Sequence, residues 1–250
     1  MARPTALVTG ASYGVGAATA VALAHAGYDV AITATRAENL RDTLRALADS
    51  GAKVAPLTLD LRVQSSIAHA FDAAVAALGP LDLLVNNAAA NLRRLAVDVT
   101  PDEWDTVMAT NLTGPFFLTQ HAGRSWIADK RPGCVVNIAS AHGLIGAAER
   151  TAYGISKAAL IHMTKMLAVE WADHGIRVNA VAPGRMQTDS PSRAGKGNDP
   201  AYMDAMLARI PLHRLVTADE VAAAVVHLAG PQSAAVTGQT LVMDGGLTAA

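Results

Sequence analysis

Tyr153 and Lys157 lie four residues apart in YGISK, a spacing that puts both side chains on one face of a helix. A phenol has an ordinary pKa of about 10, too high to release its proton readily near neutral pH. A neighbouring ammonium stabilises the phenolate and lowers that value. Tyrosine so placed acts as a general base on an alcohol, or as a general acid to a ketone in the reverse direction. Upstream, Gly10, Gly14 and Gly16 punctuate TGASYGVG. Glycines at a strand-to-helix turn let the backbone approach a pyrophosphate, and the helix amino terminus offers N–H groups and a positive dipole end. A proton-transfer pair behind a dinucleotide turn points to hydride transfer.

The spacing GxxxGxG departs from the general GxGxxG fingerprint, so its place between the first strand and first helix carries the reading. The same residues also match GxSxG, the nucleophile elbow of serine hydrolases. That elbow needs an oxyanion loop from an earlier strand, and only nine residues precede Gly10. Ser12 is better read as a phosphate contact or helix cap. The end of the second strand reads Ile32-Thr33-Ala34-Thr35-Arg36. A carboxylate there would bind a ribose 2′-hydroxyl and repel a 2′-phosphate. Arg36 suits a phosphate instead, which favours NADP over NAD.

These groups need a scaffold, and apolar runs alternate with helical stretches along the whole chain. Strands are expected at Thr5–Thr9, Asp29–Ala34, Lys53–Thr58, Asp82–Val85, Gly133–Ile138, Ile176–Val181 and Thr240–Met243. Their apolar character is nearly continuous, as in parallel strands covered on both faces. Helical spacing marks Ala37–Ser50 and Gln64–Leu78, and two longer stretches run from about Pro101 to Ala128 and Thr151 to Asp173. The pattern predicts an α/β fold: one Rossmann domain over residues 1–250, a doubly wound parallel sheet of about seven strands with helices on both faces. Residues 184–213, rich in glycine, proline and charge, break it and are read as a substrate loop with a short helix near Pro200–Arg209.

Bulk properties exclude several classes. A net charge of −1 without a basic stripe gives no electrostatic case for nucleic acid. One cysteine, Cys134, inside CVVNI, rules out a disulfide framework and a cysteine metal cluster. The eight histidines show no ligand spacing, so no metal is expected. The start, MARPTALVTG, lacks a signal-peptide core, and no run approaches a membrane span, so a cytoplasmic location is expected.

Taken in order, TGASYGVG, Asp60, NNAA at Asn86–Ala89, Asn111, Ser140, YGISK and PGRMQT resemble the short-chain dehydrogenase/reductase family over essentially the whole chain. The pattern is similar to 3-oxoacyl-acyl-carrier-protein reductases and gluconate 5-dehydrogenase-like members. The resemblance implies reversible, metal-free oxidation of a secondary alcohol. It makes Tyr153 the acid/base and Lys157 the group that binds the nicotinamide ribose and lowers the tyrosine pKa. Ser140 would orient the substrate oxygen, and Asn111 would hold the water of a proton relay through Lys157. Gly10, Ser12, Tyr13, Gly14, Val15 and Gly16 would form the cofactor turn. Asp60 would accept from the adenine amine beside Leu61, with Asn87, Ala88 and Ala89 along the adenosine side. Pro183, Gly184, Met186 and Thr188 would frame the nicotinamide. Two departures stand out: Ala89 replaces the glycine of NNAG, and Tyr13 stands where many NADP-preferring relatives carry a basic residue.

The substrate is less legible. Arg93 and Arg94 suit a carboxylate and resemble the sugar-acid branch; His142 could face the substrate. Sugar acids or polyols, 3-oxoacyl thioesters, and steroid or cyclic alcohols remain as alternatives, with a lean towards a small anionic or polyhydroxy compound. A cofactor-binding sensor without turnover is the alternative from another class. The nearly all-apolar stretch Thr151–Asp173 and the family's habit point to a homotetramer paired through the two long helices.

Overall fold

The computed structural model describes residues 3–186 and 200–250. Seven parallel strands form one sheet in the order β3-β2-β1-β4-β5-β6-β7. They are β1 (Thr5–Val8), β2 (Asp29–Ala34), β3 (Val54–Thr58), β4 (Leu83–Asn86), β5 (Gly133–Ile138), β6 (Ile176–Pro183) and β7 (Thr240–Met243). The order reverses between β1 and β4, where a crevice opens beyond the carboxyl ends of the strands.

Burial on both faces explains the continuous apolar runs. Ala6 and Val8 of β1 join Cys134, Val136 and Ile138 of β5 in one core layer, against α1 (Gly14–His25) and α8 (Ala218–Ala229). Leu7 and Val135 point the other way, against α3 (Gln64–Leu78), α5 (Gly114–Ala128) and α6 (Thr151–Trp171). Alternate residues of one strand thus feed two cores, which keeps both faces largely apolar.

The expected strands are all present, with ends displaced by a residue or two; β6 continues to Pro183. The stretch Ala37–Ser50 begins as a 3-10 turn at Ala37–Leu40 before α2 (Arg41–Leu47). The stretch Pro101–Ala128 is not one regular helix. Here α4 (Pro101–Met108) starts at a Thr100–Glu103 capping box, and a π-helical turn at Ala109–Thr113 separates it from α5. The short helix in the expected substrate loop is α7 (Pro200–Leu207); residues 187–199 of that loop lie outside the described residues. No described helix is long and apolar enough to cross a membrane.

Candidate active site

The glycine-rich turn is built for close approach. Gly10 (φ 65°) and Gly14 (φ 58°) occupy the left-handed region, which costs any residue with a Cβ. A Cβ on Gly16 would lie 2.2 Å from the Gly10 carbonyl oxygen and 2.4 Å from Asn87 Nδ2. The turn is also pinned from β4: Asn87 Nδ2 donates to the Thr9 and Gly10 carbonyls, both at 2.9 Å. The buried Thr9 hydroxyl accepts from the Asn87 and Ala88 amides at 3.0 Å. Tyr13, half exposed at 51%, is the N-cap of α1, and its side chain makes no capping bond. Ser12 therefore does not cap this helix, whose first-turn N–H groups face the crevice without a side-chain acceptor. Val15, partly buried, packs against the core. The tight turn, with open space beside Gly14 and an open helix terminus, fits a dinucleotide pyrophosphate.

At the end expected to take the adenosine, Arg36 is exposed two residues beyond Ala34. Asp60 lies beyond β3, and Leu61 beside it is buried at 5%. The Asp60 carboxylate is already engaged: Arg62 grips it through Nε at 2.9 Å and Nη2 at 2.7 Å. Ala88 is partly buried and Ala89 exposed on the chain leaving β4. Asn87, expected along the adenosine, spends its amide on the glycine-rich turn.

The chemical residues meet beyond β5 and at the start of α6. Ser140 follows β5 and accepts a bond from the His142 amide at 3.2 Å. Tyr153 and Lys157 are one turn apart on α6, and Lys157 Nζ lies 5.8 Å from the Tyr153 ring centroid. The His142 ring sits edge-on to the Tyr153 ring, centroids 6.2 Å apart. Lys157 is only 2% exposed, and its ammonium donates to the Ile138 carbonyl at 2.7 Å. Burial lowers its pKa to about 8. Asn111, fully buried in the π-helical turn, accepts from the Ala90 amide at 2.7 Å. Its Nδ2 donates to the Ala90 carbonyl and to Ser156 Oγ. Ser156 in turn donates to the Tyr153 carbonyl. Asn111 thus ties the chain beyond β4 to the helix bearing the tyrosine. Both donor positions of its Nδ2 are used, while Oδ1 accepts one bond.

Pro183 ends β6; the Gly184 amide donates to the Met243 carbonyl at 2.8 Å, and Met186 bridges to Val216. A Cβ on Gly184 would meet Asp244 Cβ at 2.6 Å. Thr188 lies outside the described residues. Arg93 and Arg94, expected at the substrate mouth, form ion pairs with Glu149 and Glu103 respectively. Among the described residues no acid, histidine or cysteine cluster could hold a metal.

The family model described as enoyl-(acyl carrier protein) reductase, adh_short_C2, matches residues 10–248. The chain belongs to the short-chain dehydrogenase/reductase family. It is 38% identical over 245 residues to 3beta-hydroxysteroid dehydrogenase 1 of Eggerthella lenta, covering 98% of this chain and 93% of that protein. It is also 38% identical to the 3-oxoacyl-[acyl-carrier-protein] reductase FabG of Vibrio cholerae over 242 residues, 97% of this chain and 96% of that one. A solved structure from Agrobacterium tumefaciens, described as a candidate 2-deoxy-D-gluconate 3-dehydrogenase with bound NADP, superposes with a TM-score of 0.91 at 38% identity. That match covers 100% of this chain and 98% of the other. Like its named relatives, this short-chain dehydrogenase/reductase is an oxidoreductase of alcohols and ketones.

Several supports of this dehydrogenase site are hard to foresee. Asn86 Nδ2 donates to Asn137 Oδ1 at 2.8 Å and to Thr119 Oγ1 at 2.9 Å, and Asn137 Nδ2 donates to Thr164 Oγ1. This buried ladder crosses β4, β5 and α6. Its only trace in the sequence is an asparagine ending one apolar strand and another near the end of the next. Arg150, at the N-cap of α6, bonds Asn91 and the Leu92 carbonyl, joining the segments beyond β4 and β5. The Arg62–Asp60 pair was open to reading from DLR, because its partners are two residues apart.

Proposed function

We propose that the chain transfers hydride between NADP and a secondary alcohol or ketone, with Tyr153 as the acid/base. The observation that carries this reading is the buried Lys157 ammonium one turn along α6 from Tyr153, held by the Ile138 carbonyl two residues before Ser140. In the oxidative direction Tyr153 Oη takes the hydroxyl proton as the carbinol C–H bond breaks, and the carbon–oxygen double bond forms. A bound nicotinamide would accept the hydride and return it in reduction. Ser140 Oγ holds the substrate oxygen against Tyr153, and a positive Lys157 favours the phenolate without contacting substrate. Asn111 fixes the distance between the two segments that flank the reacting atoms.

NADP is favoured over NAD because β2 ends without a carboxylate and Arg36 follows it. The NADP bound in a similar solved structure supports the same choice. For substrate, the names of relatives span steroid, 3-oxoacyl thioester and sugar acid, and the site takes a secondary alcohol of one of these classes. A small anionic or polyhydroxy compound agrees with Arg93 and Arg94 on the segment beyond β4, whose guanidinium groups suit a carboxylate. A cytoplasmic homotetramer is proposed with it, supported by apolar side chains exposed on α6. Residues 184–213 are proposed as the substrate loop of one catalytic domain.

Titration of the purified protein with NADPH and NADH, then absorbance at the reduced nicotinamide band with keto-sugar acids, 3-oxoacyl thioesters and cyclic ketones, tests this reading. Oxidation of NADPH with one class is the expected result. Failure to bind either nucleotide would overturn it.

A further inference from the structure

Tyr153 stands where a helix is weakest. It is the third residue of α6, inside a first turn whose N–H groups lack intrahelical partners and which frays before the rest. Lys157, one turn deeper, is held separately by the Ile138 carbonyl. A general acid/base must keep its oxygen within hydrogen-bond reach of the substrate. Contacts from outside the helix therefore have to hold this turn.

Two ties do so, three residues after Tyr153 and three before it, and both reach the stretch that follows β4. On the inner side, the buried Ser156 hydroxyl donates to the Tyr153 carbonyl at 2.7 Å and accepts from Asn111 Nδ2, which also donates to the Ala90 carbonyl. On the outer side, Arg150 Nη1 donates to Asn91 Oδ1 and to the Leu92 carbonyl. Arg150 is also the N-cap of α6. Its carbonyl accepts from the Gly154 amide at 2.7 Å, and its side chain makes no capping bond, so the guanidinium serves the outer tie and not the helix end.

The residue before it sets the direction of that grip. Glu149 has φ 63°, a left-handed conformation that costs any residue with a Cβ and persists only where its surroundings impose it. Here its carbonyl accepts from the Arg94 amide at 3.0 Å, and its carboxylate pairs with Arg93. The pair is partly exposed, and such pairs add little to stability. Its consequence is the place at which it holds the chain.

We infer that Arg150 is a positioning residue: by gripping Asn91 and Leu92 it fixes the first turn of α6, and with it the Tyr153 hydroxyl, without touching substrate or cofactor. The inference rests on the reading of Tyr153 as the acid/base.

The test is kcat and KM for NADPH-dependent reduction of an accepted ketone by the unaltered protein, Arg150→Ala, Arg150→Lys, Asn91→Ala and the double variant Asn91→Ala/Arg150→Ala. NADPH titration counts the sites in each, and thermal unfolding shows that each is folded. Arg150→Ala is expected to lower kcat per site by roughly tenfold to a hundredfold, the effect of misplacing a reacting group by up to about an ångström. KM and NADPH affinity should change little. Arg150→Lys should keep more of kcat, since an ammonium can still donate to Asn91 Oδ1. The double variant should be no slower than Arg150→Ala, because both substitutions cut one tie. Unchanged kcat, a raised KM at full kcat (the mark of a substrate contact), additive losses in the double variant, or a loss of rate matched by lost NADPH sites would each overturn the inference and leave Tyr153 in its role. Turnover retained in Tyr153→Phe would bring down both.

Discussion

The Lys157 ammonium lies 5.8 Å from the centroid of the Tyr153 ring and is held there by the Ile138 carbonyl at the end of β5. The strand end therefore positions the lysine, and the lysine positions its charge against the tyrosine. Tyr153→Phe removes the transferable proton and leaves this arrangement in place. Turnover should fall by about 10²- to 10⁴-fold, with NADPH affinity changed little. Steady-state rates alongside a binding titration check this; loss of binding with residual turnover would remove Tyr153 from the acid/base role.

Lys157 is a stability liability. Its folded pKa, about 8, lies below its unfolded value of about 10.5. The unfolded chain then binds more protons between those values, so stability rises with pH through that window. The penalty for burying the charge is full below pH 8 and is lost towards pH 10.5. Lys157→Met should therefore raise the stability of the nucleotide-free protein at pH 7 by about 2 kcal/mol, after allowing for the lost bond to Ile138. The advantage should vanish near pH 10.5, and activity should be lost at every pH. Chemical denaturation at a series of pH values measures the difference; a Met variant less stable at pH 7 would show that packing or the Ile138 bond outweighs desolvation.

Gly16→Ala places a methyl where the Gly10 carbonyl and Asn87 Nδ2 already sit. Both neighbours are fixed by the bonds that pin the turn to β4, so the strain cannot be absorbed by a flexible side-chain end. A loss of about 1–3 kcal/mol in stability is expected, with at least a tenfold loss of nucleotide affinity as the turn is displaced. Asn87→Ala should weaken nucleotide binding more mildly, because it removes the pin without blocking the cradle. Equal affinity in Gly16→Ala and the unaltered protein would show that the turn does not contact a nucleotide.

The fold was legible because the central strands β1, β4 and β5 are buried on both faces and read as nearly continuous apolar runs; Gln64–Leu78 coincides with α3 for the related reason that its helical spacing has no interruption. The long stretch after β4 is helical from Pro101 to Ala128 as read, but the π-helical turn at Ala109–Thr113 was not marked in the sequence. Asn111 sits in that turn, and its side chain answers to Ala90 and Ser156, partners that come near only once the chain has folded. The same limit hid the Asn86–Asn137–Thr164 ladder and the Thr9 pin, which join residues distant in sequence. Arg93 and Arg94 were visible as charges, but their carboxylate partners were not, since Glu149 lies 56 residues from Arg93. Tyr153, Lys157 and the glycines were legible because their chemistry is written in local spacing.

Along α6 the side chains that face away from Lys157 are apolar and wet: Ile155, Met166 and Val169 are exposed by 45%, 56% and 82%. With His162 they fall on one helical stripe, and Phe116 of α5, 36% exposed, lines a surface groove with Leu167, Glu170 and Trp171 of α6. A lone exposed apolar residue means nothing, but a stripe on a helix whose opposite face carries Tyr153 and Lys157 suits a second copy packed against it. Val169→Glu puts a charge at the most exposed point of the stripe, where in a monomer it costs nothing. Sedimentation equilibrium at micromolar concentration should show a tetramer for the unaltered protein and smaller species for the variant, with NADPH affinity retained because Val169 is on the far face from Lys157. A monomer before any substitution would leave the stripe exposed and the homotetramer without support.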